Sequence, residues 1–151
     1  MRTFPSVEWF QALARSMRAH CQKYEKLGTI DVTLVPTITF PDGHVERYAL
    51  AFDTYECVAV KRIESTAEIS GSRVIIEGSY AAWREMVASI REHGGADGEH
   101  TLNYLTLPDW PLRVSSDTEQ GQLDVDRFYR YQESLQEFFN EAAAVPTEFA
   151  A

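Results

Sequence analysis

Few side chains in this sequence are placed to do chemistry. His93 and His100 flank a loop that also carries Asp97 and Glu99, and these are the residue types of a divalent-metal site. Gly94 and Gly95 stand in the same loop and no regular element fixes the four groups, so a solvated loop is expected and no metal. His20 is expected on the exposed side of a helix and His44 in a turn. Asp53, Glu56, Glu68 and Glu77 are the carboxylates nearest the predicted strands. General acid–base work needs such groups in an apolar pocket with separated pKa values. Each of the four reads instead as a turn or solvent-facing strand residue. Cys21 and Cys57 fit no zinc spacing and read as two buried thiols, not a disulfide. The sequence has no nucleophile elbow, phosphate loop or dinucleotide fingerprint. No catalytic residue and no cofactor is therefore expected.

The elements that would position any site are clearer. Residues 1–151 are expected to form a single domain, long enough for one core. A net charge of −9 argues against nucleic acid and against tight docking on anionic lipid. The amino-terminal residues lack an apolar signal core and no stretch approaches a membrane span, so a soluble, cytoplasmic protein without integral membrane association is expected.

Ser6 can cap a first helix whose stripe is Val7, Phe10, Leu13, Ala14, Met17, Cys21 and Tyr24, ending at Gly28. The period then changes to two. Ile30, Val32 and Leu34 alternate with polar residues, and the strand resumes at Ile38 and Phe40 beyond Pro36, which predicts a sheet edge or bulge. Pro41-Asp42-Gly43-His44 predicts a hairpin turn. Strands follow from Val45 to Phe52 and from Cys57 to Ile63, then one or two more over Glu68–Ser70 and Val74–Glu77, a meander that implies antiparallel pairing. Gly78 breaks the last strand and Ser79 caps a helix in which Tyr80, Trp83, Met86, Val87 and Ile90 share a face. Leu102–Leu107 is ambiguous between strand and helical turn. Trp110 sits between Pro108 and Pro111 in an extended segment, a rim or lid position. Asp124 or Asp126 caps a final helix with Phe128, Tyr131, Leu135, Phe138, Phe139 and Ala142 inward, stopped by Pro146. The fold class is thus α+β, a mostly antiparallel sheet of about five strands covered on one face by amphipathic helices.

Thr29-Ile30-Asp31-Val32-Thr33-Leu34, Val58-Ala59-Val60, and Ile76-Glu77-Gly78-Ser79-Tyr80-Ala81-Ala82-Trp83 occur in the order helix, meander, Gly-x-x-x-x-Trp helix. This pattern resembles the sterol carrier protein type two family, the nonspecific lipid-transfer proteins. The likeness covers roughly residues 5 to 92. Beyond it the family's short helix and Gly-Lys-Leu type of run give way to Leu102–Trp110 and a longer terminal helix.

The resemblance implies non-catalytic binding of a lipid, sterol or fatty-acyl ligand between sheet and helices. The apolar stripes offer Phe10, Met17, Tyr80, Trp83, Met86, Leu105, Trp110, Leu135, Phe138 and Phe139 as lining residues. Core packing and ligand lining are not exclusive for such side chains. The expected partner is a hydrophobic small molecule or lipid. Two rival readings are a small isomerase or hydrolase acting on an apolar substrate, and an interaction module whose terminal helix pairs with a partner or a second copy as a homodimer.

Overall fold

A computed structural model describes residues 1–150. Its strands are β1 (Arg2–Phe4), β2 (Ile30–Thr39), β3 (Val45–Thr54), β4 (Glu56–Ile63), β5 (Val74–Ser79), β6 (Arg113–Ser115) and β7 (Thr147–Phe149). Its helices are α1 (Val7–Ala19), α2 (Cys21–Leu27), α3 (Tyr80–His93), α4 (Leu102–Leu105), α5 (Gly121–Arg130) and α6 (Gln132–Asn140). The class is α+β.

The main sheet runs β4-β3-β2-β5-β6. Three of its neighbour pairs are antiparallel, but β5 lies parallel to β2 on the side away from β3. The meander therefore ends after β4. The chain crosses through Ser65–Gly71, whose Thr66–Glu68 part is a 3₁₀ turn closed by a Ser65/Glu68 capping box, where a strand was expected. Pro36 lies not at an edge but in the central strand. The antiparallel register skips Val35 and Pro36 between the Leu34–Leu50 and Thr37–Arg47 pairs, while Pro36 still pairs with Ile76 on the parallel side. A missing N–H is tolerated in a central strand when the neighbouring ladder interrupts at that point.

One face of the sheet carries Ile30, Val32, Leu34, Ile38, Tyr48, Leu50, Phe52, Cys57, Val74 and Ile76 into the main core with the helices. The other face is not bare. Val35, Ala49 and Ile63 form a second small core beneath Ile69 of the crossing segment. The period of two is legible over Ile30–Leu34, where polar Asp31 and Thr33 face outward, and is lost over Leu34–Ile38, where both faces are buried.

The hairpin turn forms as expected, with Gly43 at φ 91° donating its N–H to the Phe40 carbonyl. Ser79 caps α3, accepting from Ala82 N–H at 3.1 Å, and Tyr80, Trp83, Met86, Val87 and Ile90 are all buried. Three expectations about helices change. The first helix is broken at His20, and Cys21, just beyond the break, is exposed. The terminal helix is broken at Tyr131, so that α5 packs on the sheet and α6 on the other helices. Neither Asp124 nor Asp126 is its cap; Gln120 holds that position and Asp124 points into the fold. Leu102–Leu105 is a single helical turn. Finally, β1 and β7 pair in parallel as a separate ribbon joining residues near the two ends of the sequence.

Candidate functional site

The ten apolar candidates do not meet at one open cavity. Phe10, Met17, Trp83, Met86, Leu135, Phe138 and Phe139 are all 0% exposed. They interlock. Phe10 lies edge-on to Trp9 and against Tyr48, each with ring centroids 5.0 Å apart. Phe138 lies edge-on to Phe52 at 5.0 Å, and Phe139 approaches Trp83 at 5.9 Å. The Trp83 indole N–H donates to the Thr37 carbonyl at 3.2 Å, fixing α3 to the central strand. Tyr80 is nearly buried and donates its hydroxyl to the Ala150 carbonyl at 2.6 Å.

Leu105 and Trp110 line a small cleft of about 80 Å³, shared with Ala82, Pro111, Glu85, Glu99 and His100. Two larger surface clefts, each of about 510 Å³, have linings of mixed polar and apolar character. One is lined by α6 with Leu27, Thr101 and Asn103, the other by His20, Cys21, Lys23 and Lys26 around the helix break.

The carboxylates singled out from sequence do structural work. Glu68 accepts from the Glu64 and Ser65 N–H groups, which holds its carboxyl below the usual range. Glu77 pairs with Arg113, and Glu56 lies 3.8 Å from Arg18. Asp53 is exposed. His100 Nε2 lies 3.1 Å from Glu85, and His93 Nδ1 lies 3.0 Å from the Ser89 carbonyl, so the loop histidines face different partners. Cys57 is buried as expected, and desolvation pushes its thiol up to about 12, where it is inert.

Sequence reasoning missed three polar clasps. The first is Glu141, only 4% exposed. Its Oε1 accepts from Ser16 at 2.7 Å and lies 2.9 Å from His20 Nδ1; its Oε2 accepts from Tyr24 at 2.7 Å and Lys23 at 3.0 Å. Burial pushes this carboxyl up, but the bonds from Tyr24, Ser16 and Lys23 outweigh it and hold the carboxyl low. Burial and the same carboxylate push the Tyr24 phenol up. The clasp ties both halves of the broken first helix to the end of α6. Its sequence signal was the four-residue spacing of Ser16, His20 and Tyr24, of which only Tyr24 belongs to the expected apolar stripe.

The second is Asp124, 1% exposed, whose Oδ2 accepts from Ser116 and Thr118 and pins the loop before α5. The third is an amide row on α6 at four-residue spacing. Gln132 donates to Asn103 at 3.1 Å, Gln136 accepts the Leu102 N–H at 2.6 Å, and Asn140 accepts the Ala96 N–H at 3.0 Å. This row holds the segment between α3 and β6 against the helix. Gln132, Gln136 and Asn103 of the third clasp line the first of the two larger clefts, and His20 and Lys23 of the first clasp line the second.

In sequence the chain matches no protein-family model and no curated protein. In structure it is similar to a crystal structure of sterol carrier protein 2, at 17% identity and TM-score 0.64, over 92% of this chain and 96% of that one. It is also similar to the solution structure of a conserved hypothetical protein from Thermus thermophilus, itself described as a candidate sterol carrier protein. That match has 17% identity and TM-score 0.61, over 95% of this chain and 90% of that one. The chain therefore has the sterol carrier protein fold. The fold extends through the carboxy-terminal third, where the sequence pattern departs.

Proposed function

We propose, starting from that fold, that the chain binds a hydrophobic ligand of lipid, sterol or fatty-acyl type between the sheet and the helices and does not turn it over. The observation that carries this reading is the likeness of fold to sterol carrier protein 2 along almost the whole of both chains. The apolar faces of α3 and α6 on the inner sheet face support it, with Met17, Trp83, Met86, Leu135, Phe138 and Phe139 as the lining. These side chains are closed on one another, so the ligand enters by parting the helical layer. An acyl chain gives about 0.8 kcal/mol per buried CH₂. A dozen carbons then leave several kcal/mol after ordering costs, enough to offset modest repacking. Both oxygens of the buried Glu141 carboxylate are engaged by structural donors, which favours a carrier over an isomerase or hydrolase working through that group.

A second reading, an interaction module with a filled core that pairs with a partner or a second copy, draws on the same closed packing. Titration of delipidated protein with fluorescent fatty-acid and sterol analogues separates the two. The carrier reading expects saturable binding and a change in tryptophan emission, since Trp83 lies on the lining. No saturation with any analogue overturns it in favour of the interaction module.

A further inference from the structure

The loop from Tyr104 to Pro111 exposes apolar side chains in a fixed arrangement. Tyr104 and Leu107 are 43% and 40% exposed, and the half-buried Trp110 lies edge-on to Tyr104 with centroids 5.5 Å apart. The Trp110 N–H donates to the Leu107 carbonyl at 3.0 Å, and between them stand Pro108 and Asp109, the latter at φ 68°. Proline at the first corner and a positive φ at the second are the pattern of a type II turn, for which Asp is tolerated. The Leu112 N–H closes the loop onto the Leu105 carbonyl at 2.9 Å. Leu105 and Leu112 root it in the core. Leu107 and Trp110 thus stand at the two ends of one tight turn, already ordered.

Beside the turn lies the small cleft floored by Leu105, Trp110 and Pro111, with Glu85 and Glu99 exposed on its rim. Glu85 is shared with His100 at 3.1 Å, and exposed Asp109 adds a further negative charge at the tip. The nearby Arg113 is paired with Glu77. An aromatic face with carboxylates around it attracts an organic cation.

We propose that this loop docks on the surface of a zwitterionic phospholipid bilayer. Leu107 and Tyr104 enter between head groups, and the Trp110 cleft receives a head-group ammonium. The proposal deepens the carrier reading and rests on it, because a carrier must meet the membrane that supplies its cargo. Tryptophan and tyrosine favour the bilayer interface, where an apolar body and a polar tip are both satisfied. Charge selects the lipid. The outermost group of a choline or ethanolamine lipid is a cation, which complements the acidic rim, while the net charge of −9 opposes an anionic bilayer.

The test is flotation of the full chain with phosphatidylcholine vesicles, with and without added phosphatidylglycerol. The expected result is retention on phosphatidylcholine with a blue shift in tryptophan emission. Trp9 and Trp83 are 0% exposed, and loss of the shift in Trp110→Phe assigns it to Trp110 rather than to cargo reaching Trp83. Leu107→Asp lowers partitioning by about tenfold or more, with an unchanged urea midpoint because Leu107 is a surface residue. Glu85→Gln with Glu99→Gln lowers it several-fold, and phosphatidylglycerol weakens it. Retention of Leu107→Asp at the wild-type level, retention only on anionic vesicles, or no retention overturns the proposal. So does a loss in Leu107→Asp of self-association rather than of vesicle binding. Cargo titration in vesicle-free solution keeps the two readings apart. Saturable cargo binding without vesicle retention refutes the docking surface alone, and vesicle retention without cargo binding refutes the carrier.

Discussion

Glu141→Gln tests whether the buried carboxylate holds the broken first helix in place. The substitution keeps the shape but replaces one acceptor oxygen by an NH₂ donor. One pair of donors, Ser16 with His20 or Tyr24 with Lys23, then faces a donor. Lys23 is 41% exposed and His20 55%, so both can turn to water and their share is small. The hydroxyls cannot turn so easily. A hydrogen bond from a buried hydroxyl to a carboxylate contributes about 1.5–3 kcal/mol, and leaving a partner unsatisfied adds to the loss. The expected destabilisation at pH 7 is about 3 kcal/mol, near the low end for breaking a buried charged pair. In a chain of this size that lowers Tm by roughly 6–12 °C.

The pH dependence fixes the cause. The folded carboxyl is held below the ordinary value of 4.5, so its stabilisation is complete above that value and lost as pH falls through the lower folded value. Urea midpoints of wild type and variant should therefore differ most at neutral pH and converge in acid. Equal midpoints at pH 7, or a gap that widens on acidification, would refute the clasp.

Trp83→Ala should cost about 3–5 kcal/mol, while Trp83→Phe, which chiefly loses the bond to Thr37, should cost about 1–2 kcal/mol by urea unfolding. Similar losses for the two would place the importance of Trp83 in its hydrogen bond and not its volume. A Cβ on Gly78 collides with Leu112 Cδ2 and stands 3.1 Å from the Pro111 carbonyl. Gly78→Ala should then destabilise by about 1–3 kcal/mol, with coupling to Leu112→Ala in a double-mutant cycle; strict additivity counts against that contact. Hydrogen exchange should show the amides of Phe138 and Phe139 opening before that of Val32 and gaining protection when lipid is bound; exchange as slow as that of Val32 in both states would make α6 fixed core and refute entry through the helical layer.

Periodic signals came through the sequence and interruptions did not. The α3 cap at Ser79, its buried face and the Gly43 turn follow from short-range rules that tertiary packing left undisturbed. Pro36 misled because the rule placing proline at an edge or a bulge leaves out a ladder that lapses for two residues without a shift of register. The side of β2 on which β5 lies depends on a crossing connection, which spacing alone cannot place. Cys21 fell on the stripe only because the helix was taken as unbroken; the turn at His20 rotates it outward. Glu141 was invisible for a different reason. It sits among alanines after an apolar stripe, and its four partners come from a segment more than a hundred residues away. Trp110 stands out in the sequence by its flanking prolines, and in the structure it is part of the lining of the small cleft.

The ribbon of β1 and β7 has a consequence for how the molecule is made. The Trp9 indole donates to Thr147 across 138 residues of sequence, and the Arg2 N–H reaches the Pro146 carbonyl. A chain leaving the ribosome can assemble β2, β3 and β4 early, but Phe4, Trp9 and Tyr80 keep an uncovered side until the final residues emerge. Packing of these residues therefore finishes only after Pro146–Phe149 have been translated. Until then its amino-terminal aromatic cluster is the surface a chaperone would find.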